Sequence, residues 1–219
     1  MKEYAKKFLE VAFEYDALQL GQFELKSGRI SPYFFNVGML RSGDALRRMG
    51  DCYAQVLCAE EFFTEEDAPI LFGPAYKGLL IAVATAISLT EYGENALFSS
   101  LRKEKKEHGE GGICIGQPID NRHVVVLEDV VSGGETIRNV LRYIRSLRGF
   151  PVGTVIGFDR QERDMVGGQP VIQVLRRELG VRIESIATLS DMCEFVRNHR
   201  KYRLFFEPLN AYREEFCVS

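Results

Sequence analysis

The stretch that most constrains the fold runs from His123 to Arg138, His-Val-Val-Val-Leu-Glu-Asp-Val-Val-Ser-Gly-Gly-Glu-Thr-Ile-Arg. Its four apolar residues from Val124 to Leu127 are too few for a helix and rich in β-branched side chains, so they predict a strand buried on both faces. Two carboxylates and a polar glycine turn come next. Apolar residues then recur at helical spacing from Ile137 to Leu147. The pattern predicts a strand, an acidic pair, a turn and a helix.

Each part of this stretch suits a ligand that carries both phosphate and hydroxyl groups. Glycines let the backbone approach an anion closely, and the N–H groups of a helix N-terminus attract phosphate. The two carboxylates would repel that phosphate unless the ligand also offers hydroxyls or a bound metal, as a phosphorylated sugar does. The sequence contains no P-loop motif, and no Gly-x-Gly-x-x-Gly follows a strand. We therefore expect a phosphorylated sugar at this turn.

The rest of the chain alternates predicted strands with predicted helices, which indicates one α/β unit with a mainly parallel central sheet. In such folds the chemistry lies at the carboxyl ends of the strands. An amphipathic helix is predicted over residues 3–18, and alternation predicts a strand over residues 23–27. Ser42 is the expected N-cap of a helix over residues 42–60, and Ser190 that of a helix starting at Asp191.

Composition excludes several classes of protein. A net charge of −3 and a sequence pI near 5.8 argue against a broad basic surface for nucleic acid. The longest apolar stretch, residues 78–89, is too short to span a bilayer. Five cysteines, an odd number without a Cys-x-x-Cys pair, fit free thiols in a reducing compartment. We therefore expect a cytoplasmic protein that binds neither nucleic acid nor membrane.

Two further segments suit a polyanionic ligand. Ile70-Leu-Phe-Gly-Pro-Ala-Tyr-Lys-Gly78 predicts a short strand, a second glycine turn carrying Lys77, and a helix from Leu79 to Leu89. A predicted strand at residues 98–101 precedes the run Arg102-Lys-Glu-Lys-Lys-Glu-His-Gly-Glu-Gly-Gly112. Such a charged, glycine-closed run predicts a flexible loop over about residues 102–116, of a kind that can close over a polyanion.

The order of residues 124–136, Val-Val-Val-Leu-Glu-Asp-Val-Val-Ser-Gly-Gly-Glu-Thr, resembles the signature with which type I phosphoribosyltransferases bind phosphoribosyl diphosphate (PRPP). The resemblance implies their α/β fold, with Glu128 and Asp129 on the ribose hydroxyls and the turn around the 5-phosphate. The turn residues it implies are Val130, Val131, Ser132, Gly133, Gly134, Glu135 and Thr136. It also assigns Tyr76 and Lys77 to a diphosphate loop, which in this family often contains a cis non-proline peptide.

Two other runs resemble the orotate branch of this family. Phe-Glu-Leu-Lys-Ser-Gly-Arg-Ile-Ser-Pro-Tyr-Phe-Phe-Asn, at residues 23–36, resembles its N-terminal hood, and residues 102–112 resemble its catalytic lid. The resemblance implies a single domain over residues 1–219, with the hood formed by about residues 1–40 and the C-terminal segment. It implies an orotate site of Lys26, Phe34, Phe35, Ser132 and Arg160. It implies further PRPP contacts from Lys26, Arg102, Lys103, Lys106 and His108.

The resemblance implies that orotate and PRPP give orotidine 5′-monophosphate and diphosphate, a step of pyrimidine synthesis. Positive charge develops on the ribose and negative charge on the leaving diphosphate, so fixed cations favour the transition state. The expected catalytic residues are Lys103, Lys106, His108 and Asp129, with Mg²⁺ bridging diphosphate and ribose hydroxyls. The family likeness also implies a homodimer in which each chain donates its lid to the other.

The match is not uniform. Ser132 stands where the family signature usually has threonine, and Glu128 where it often has aspartate. Glu135 lies in the phosphate turn itself, so its side chain must point away from the ligand. Two alternatives remain: a purine or uracil phosphoribosyltransferase, and a regulatory protein of this fold that senses PRPP.

Overall fold

The computed structural model describes residues 1–25, 28–63, 68–106, 112–164 and 168–217, with the backbone alone at 102–106 and 112–113. The helices in this part of the chain are α1 (Glu3–Glu14), α2 (Gly43–Ala59), α3 (Lys77–Leu89), α4 (Glu135–Ser146), α5 (Val171–Leu179), α6 (Leu189–Asn198) and α7 (Phe206–Phe216). The strands are β1 (Leu18–Glu24), β2 (Ile30–Phe35), β3 (Ile70–Gly73), β4 (Phe98–Lys106), β5 (Gly112–Gly116), β6 (His123–Val131), β7 (Phe150–Asp159) and β8 (Arg182–Thr188). Short 3₁₀ helices cover Val37–Met39, Thr90–Tyr92 and Arg203–Phe205.

The central sheet has six strands in the order β5-β4-β3-β6-β7-β8, and every pair except β4 with β5 is parallel. The predicted mainly parallel α/β sheet is therefore confirmed. Because β3, β6 and β7 are parallel neighbours, the turns that follow them meet at one edge of the sheet.

Strand β6 lies at the centre of this sheet, and its four apolar residues from Val124 to Leu127 are fully buried as predicted. Val125 and Leu127 belong to a core cluster that includes residues of α1, α2 and α3, whereas Val124 and Val126 belong to a cluster with residues of α4 and α5. Successive side chains of a strand point to opposite faces. The sheet therefore has a helical layer on each side.

The β1–β2 hairpin forms a separate two-stranded sheet, the hood. Tyr33 and Phe35 of β2 pack their rings against Phe158 of β7 at centroid distances of 5.7 Å each. These contacts hold the hood over the end of β7. Helix α1 ends at Glu14, earlier than predicted, and Asp16 takes a positive φ of 56°, a conformation that cannot continue a right-handed helix.

The predicted loop over residues 102–116 is instead largely strand. β4 continues to Lys106, β5 begins at Gly112, and the two pair antiparallel, with Leu101 opposite Cys114. Charge density is a poor guide here because strand pairing uses backbone groups, and a strand pair at a sheet edge tolerates charged side chains. Residues 107–111 lie outside the described residues.

Of the two helix caps predicted from the sequence, one is confirmed and one is wrong. The Ser42 Oγ accepts a hydrogen bond from the Ala45 N–H, which confirms the predicted cap of α2. Helix α6 is capped by Thr188, not Ser190, through a reciprocal pair of hydrogen bonds with Asp191. Ser190 donates to the side chain of Gln161 instead. Within the described ranges, no helix is both long and apolar enough to cross a bilayer.

Candidate active site

The acidic pair lies at the carboxyl end of β6, where both side chains are buried: Glu128 is 7% exposed and Asp129 is 5% exposed. Glu128 Oε1 accepts a hydrogen bond from the Asp129 N–H at 3.2 Å, and Glu128 Oε2 has no hydrogen-bond partner among the described residues. Burial, and then the charge of Asp129, raise the pKa of Glu128 to about 8. In the ligand-free protein Glu128 is therefore mostly protonated at neutral pH.

Asp129 connects the acidic pair to the glycine turn that follows β3 and carries Lys77. The Lys77 Nζ lies 3.3 Å from Asp129 Oδ2, and Asp129 Oδ1 accepts a hydrogen bond from the Val130 N–H at 2.9 Å. Lys77 is the first residue of α3, and its side chain is half-exposed. This ammonium group therefore stands between the turn after β3 and the carboxylates after β6, still accessible to a ligand.

The turn after β3 is tight because the chain folds back on itself. A Cβ on Gly73 would collide with the Gly78 carbonyl, and a Cβ on Gly78 would lie 2.5 Å from the Pro74 ring. The peptide bond between Ala75 and Tyr76 is cis, as the family resemblance implied. The Tyr76 side chain is exposed beside this turn.

The turn after β6 places Ser132 and Gly133 in solvent ahead of α4. Gly134 is the N-cap residue, with φ of +77°, and a Cβ there would lie 2.7 Å from the Leu175 side chain. Glycine is therefore required both by the left-handed backbone and by close packing. The Arg138 Nη1 donates to the Gly133 carbonyl at 2.7 Å, which ties the turn to the first turn of the helix.

The remaining predicted residues of this turn differ in access. Glu135 and Thr136 are exposed at the start of α4, and Val130 is half-buried. Val131 packs its side chain in the core cluster with α4 and α5, so only its backbone is left for a ligand.

A cavity of about 810 Å³ joins this turn to the hood and to the end of β7. Its lining includes Ser132, Phe34 and Arg160, three of the five residues predicted for orotate. Phe34 is 40% exposed, whereas Phe35 is only 5% exposed and packs against Phe8 and Phe158. The side chain of Phe35 therefore faces the core and not the cavity, contrary to the prediction, because adjacent strand residues point in opposite directions.

Arg160 lies just after β7 and is 7% exposed. Its Nη2 lies 2.6 Å from Glu162 Oε1 and donates to the Tyr212 hydroxyl at 3.2 Å. Sequence reasoning missed Glu162 and Tyr212. Glu162 follows Arg160 by two residues in the same charged run, which was the available signal, whereas nothing local marks Tyr212 in the C-terminal helix.

Several predicted residues cannot be placed at this site. Lys26 and His108 lie outside the described residues, and for Arg102, Lys103 and Lys106 the backbone in β4 is all that is described. No group of three or more His, Cys, Asp or Glu in the part of the chain described could hold a metal ion.

The central sheet carries an acidic pair and two glycine turns at its carboxyl edge, which is the arrangement of the type I phosphoribosyltransferase class. The family model described as Phosphoribosyl transferase domain matches residues 54–185. The chain is 40% identical over 217 residues to an orotate phosphoribosyltransferase of Xylella fastidiosa, with 99% of this chain and 97% of the relative covered. It is 41% identical over 221 residues to the orotate phosphoribosyltransferase of Thioalkalivibrio sulfidiphilus, covering 100% of both chains.

A solved structure agrees with these relatives. The orotate phosphoribosyltransferase of Francisella tularensis superposes with a TM-score of 0.80 at 27% identity, covering 96% of this chain and 99% of that one. The chain belongs to the orotate phosphoribosyltransferase family.

Proposed function

We propose that the protein transfers the 5-phosphoribosyl group of PRPP to orotate, giving orotidine 5′-monophosphate and diphosphate in pyrimidine synthesis. The observation that carries the proposal is the cavity that Phe34 and Arg160 share with Ser132 of the phosphate turn. The planar face of a pyrimidine suits stacking on Phe34, and the carboxylate that distinguishes orotate from uracil suits a buried arginine. The sugar phosphate would then lie at the adjoining turn.

Binding of the ribose would change the ionisation of Glu128. Hydroxyl groups that donate to a carboxylate favour its charged form. Because the pKa of Glu128 is raised to about 8 in the free protein, PRPP binding near neutral pH should release a proton. Asp129 is the better candidate for general acid–base help, since Lys77 lies beside it.

In the reaction, the bond from the ribose C1 to the diphosphate oxygen breaks as the orotate ring nitrogen forms the new bond. We assign contact with the diphosphate to Lys77, which lies beside Asp129, and the same role to Lys26, Arg102, Lys103 and Lys106, with His108 as hydrogen-bond donor or proton source. Such cations stabilise the leaving group more as its negative charge grows. Orotate reacts as a ring anion or close to one, so the mechanism needs no strong protein base.

Mg²⁺ fits this donor set. Magnesium is commonly held by one or two carboxylates together with substrate phosphates, and the buried Glu128 Oε2 has no hydrogen-bond partner in the described chain. We propose that Glu128 and Asp129 would lie next to a magnesium ion that binds together with PRPP. The ion would supply charge neutralisation of the diphosphate.

We also propose a homodimer in which the lid is shared. Helix α3 exposes Leu80 and Ile87, and Tyr76 just before the helix is exposed as well. Such a stripe of apolar side chains is unusual for a helix that faces solvent. An Ile87→Glu variant should dissociate to monomers in light scattering after size-exclusion chromatography, while Leu204→Glu, a change at another exposed leucine, should leave the assembly intact. A monomeric wild-type protein would refute the proposal.

Five free cysteines support a cytoplasmic location.

The activity is tested by following the loss of orotate absorbance with PRPP and Mg²⁺, with hypoxanthine and uracil in parallel. Orotate alone should be consumed. Consumption of uracil or hypoxanthine instead would refute the substrate assignment, and no turnover of any base would favour a PRPP-sensing regulator. A Lys103→Ala variant should still bind orotate but turn over slowly, and unchanged turnover would remove the lid from the mechanism.

A further inference from the structure

The guanidinium of Arg160 is held by the protein on one of its edges. Nε and Nη2 both lie within 2.8 Å of Glu162 Oε1, and Nη2 also donates to the Tyr212 hydroxyl. The guanidinium lies over the ring of Tyr33, and its Cζ atom is 4.8 Å from the ring centroid. Among the described residues, no hydrogen bond or ion pair uses Nη1. The N–H groups left for a ligand are therefore those of Nη1.

Glu162 is itself held by three elements of the fold. The Tyr212 hydroxyl of α7 donates to Glu162 Oε1 at 2.6 Å, and the guanidinium of Arg29, in the turn between β1 and β2, lies 3.4 Å from Glu162 Oε2. Arg29 also stacks on the ring of Phe216, 4.3 Å from its centroid. Strand β7, the hood and the C-terminal helix thus meet on this one carboxylate.

The charge of the cluster suits an incoming carboxylate. Arg160 lies in a largely buried site with its Nη1 edge left for a ligand, and a carboxylate there would form charge-assisted hydrogen bonds with the guanidinium. A lone arginine on a flexible stem would have to lose its side-chain entropy when the ligand binds. The contacts of Glu162 and Tyr212 order Arg160 beforehand, which is the physical basis of preorganised binding.

We infer that Glu162 and Tyr212 are positioning residues, which fix Arg160 so that its Nη1 side meets the carboxylate of the pyrimidine. The inference rests on the proposed function. It assigns a role in substrate selection to the C-terminal helix, because Tyr212 holds Arg160 and Glu162, two residues that line the cavity, without needing to touch the ligand.

The test compares two nucleotides that differ by one carboxylate. Orotidine 5′-monophosphate carries the group that Arg160 should bind, and uridine 5′-monophosphate lacks it. Tyr212→Phe removes one hydroxyl and no charge, and Glu162→Asp keeps the charge but shortens the reach by one methylene. Each variant should raise the dissociation constant for orotidine 5′-monophosphate about tenfold in calorimetry and that for uridine 5′-monophosphate less than about twofold.

Steady-state kinetics should show the same separation. The KM for orotate should rise in both variants while the KM for PRPP stays the same. Tyr15→Phe is the matched control, because the Tyr15 hydroxyl also donates to a carboxylate, that of Asp44 at 2.7 Å, but in the contact between α1 and α2. It should change neither nucleotide affinity nor either KM.

Equal weakening of both nucleotides, or no change in either, would overturn the inference. If Tyr212→Phe shows a lowered melting temperature that prevents the measurement, Glu162→Asp decides the question by the same ratio. A wild-type protein that consumes no orotate and binds neither nucleotide would refute the proposed function itself, which separates the two failures.

Discussion

Replacing Glu128 by glutamine should make the free protein more stable in alkaline solution. The pKa of Glu128 is about 8 in the folded chain, and its ordinary value is 4.5. At pH values between these two, the folded state keeps a proton that the unfolded chain has released. The free energy of unfolding therefore falls by about 1.4 kcal/mol for each pH unit in this range. Over the whole range the loss approaches ~5 kcal/mol as an upper bound. Glutamine has the shape of the protonated carboxyl and cannot ionise.

The measurement is urea denaturation of ligand-free protein at several values between about pH 5 and about pH 9. The Glu128→Gln variant should match wild type near the acidic end and exceed it by several kcal/mol at the alkaline end, a large part of a typical folding free energy. Asp129 and Lys77 remain in both proteins, so the two proteins differ only in the Glu128 carboxyl group. The control is Glu184→Gln on β8, whose carboxylate is partly exposed. Parallel curves for wild type and Glu128→Gln would refute the reasoning.

Four further substitutions test the site. Gly134→Ala should lower the free energy of unfolding in urea by about 2 kcal/mol and raise the KM for PRPP. The reason is that alanine is strained at φ of +77° and its Cβ meets Leu175. Unchanged values would show that Gly134 is not needed for this turn. Phe35→Ala should lower the free energy of unfolding by about 3–5 kcal/mol, because Phe35 is buried. Phe34→Ala should lower it by less than about 1 kcal/mol and raise the KM for orotate, because Phe34 is exposed to the cavity. Equal losses of stability would contradict the faces assigned to the two rings. Lys77→Ala should raise the KM for PRPP about tenfold and leave orotate affinity unchanged, and the reverse pattern would exclude it from the diphosphate site.

The sequence alone determined the central strand, the acidic pair and both glycine turns. These features depend on local spacing: a short β-branched run must be buried on both faces, and a glycine turn after a parallel strand leads into a helix N-terminus. The cap of α2 at Ser42 was predictable for the same reason, since its hydrogen bond spans only three residues. Parallel strands then bring the predicted turns to one edge of the sheet, so the general position of the site also followed.

Only the tertiary structure decided which neighbouring groups face each other. Phe34 and Phe35 are equivalent in the sequence, and packing of the hood on β7 exposes one and buries the other. Tyr212 reaches Arg160 across 52 residues of sequence, a pairing that no local pattern carries. The raised pKa of Glu128 depends on burial, which belongs to the packed molecule and not to the chain. Composition and spacing therefore predict the parts of this site, while long-range packing sets their orientation and their charge.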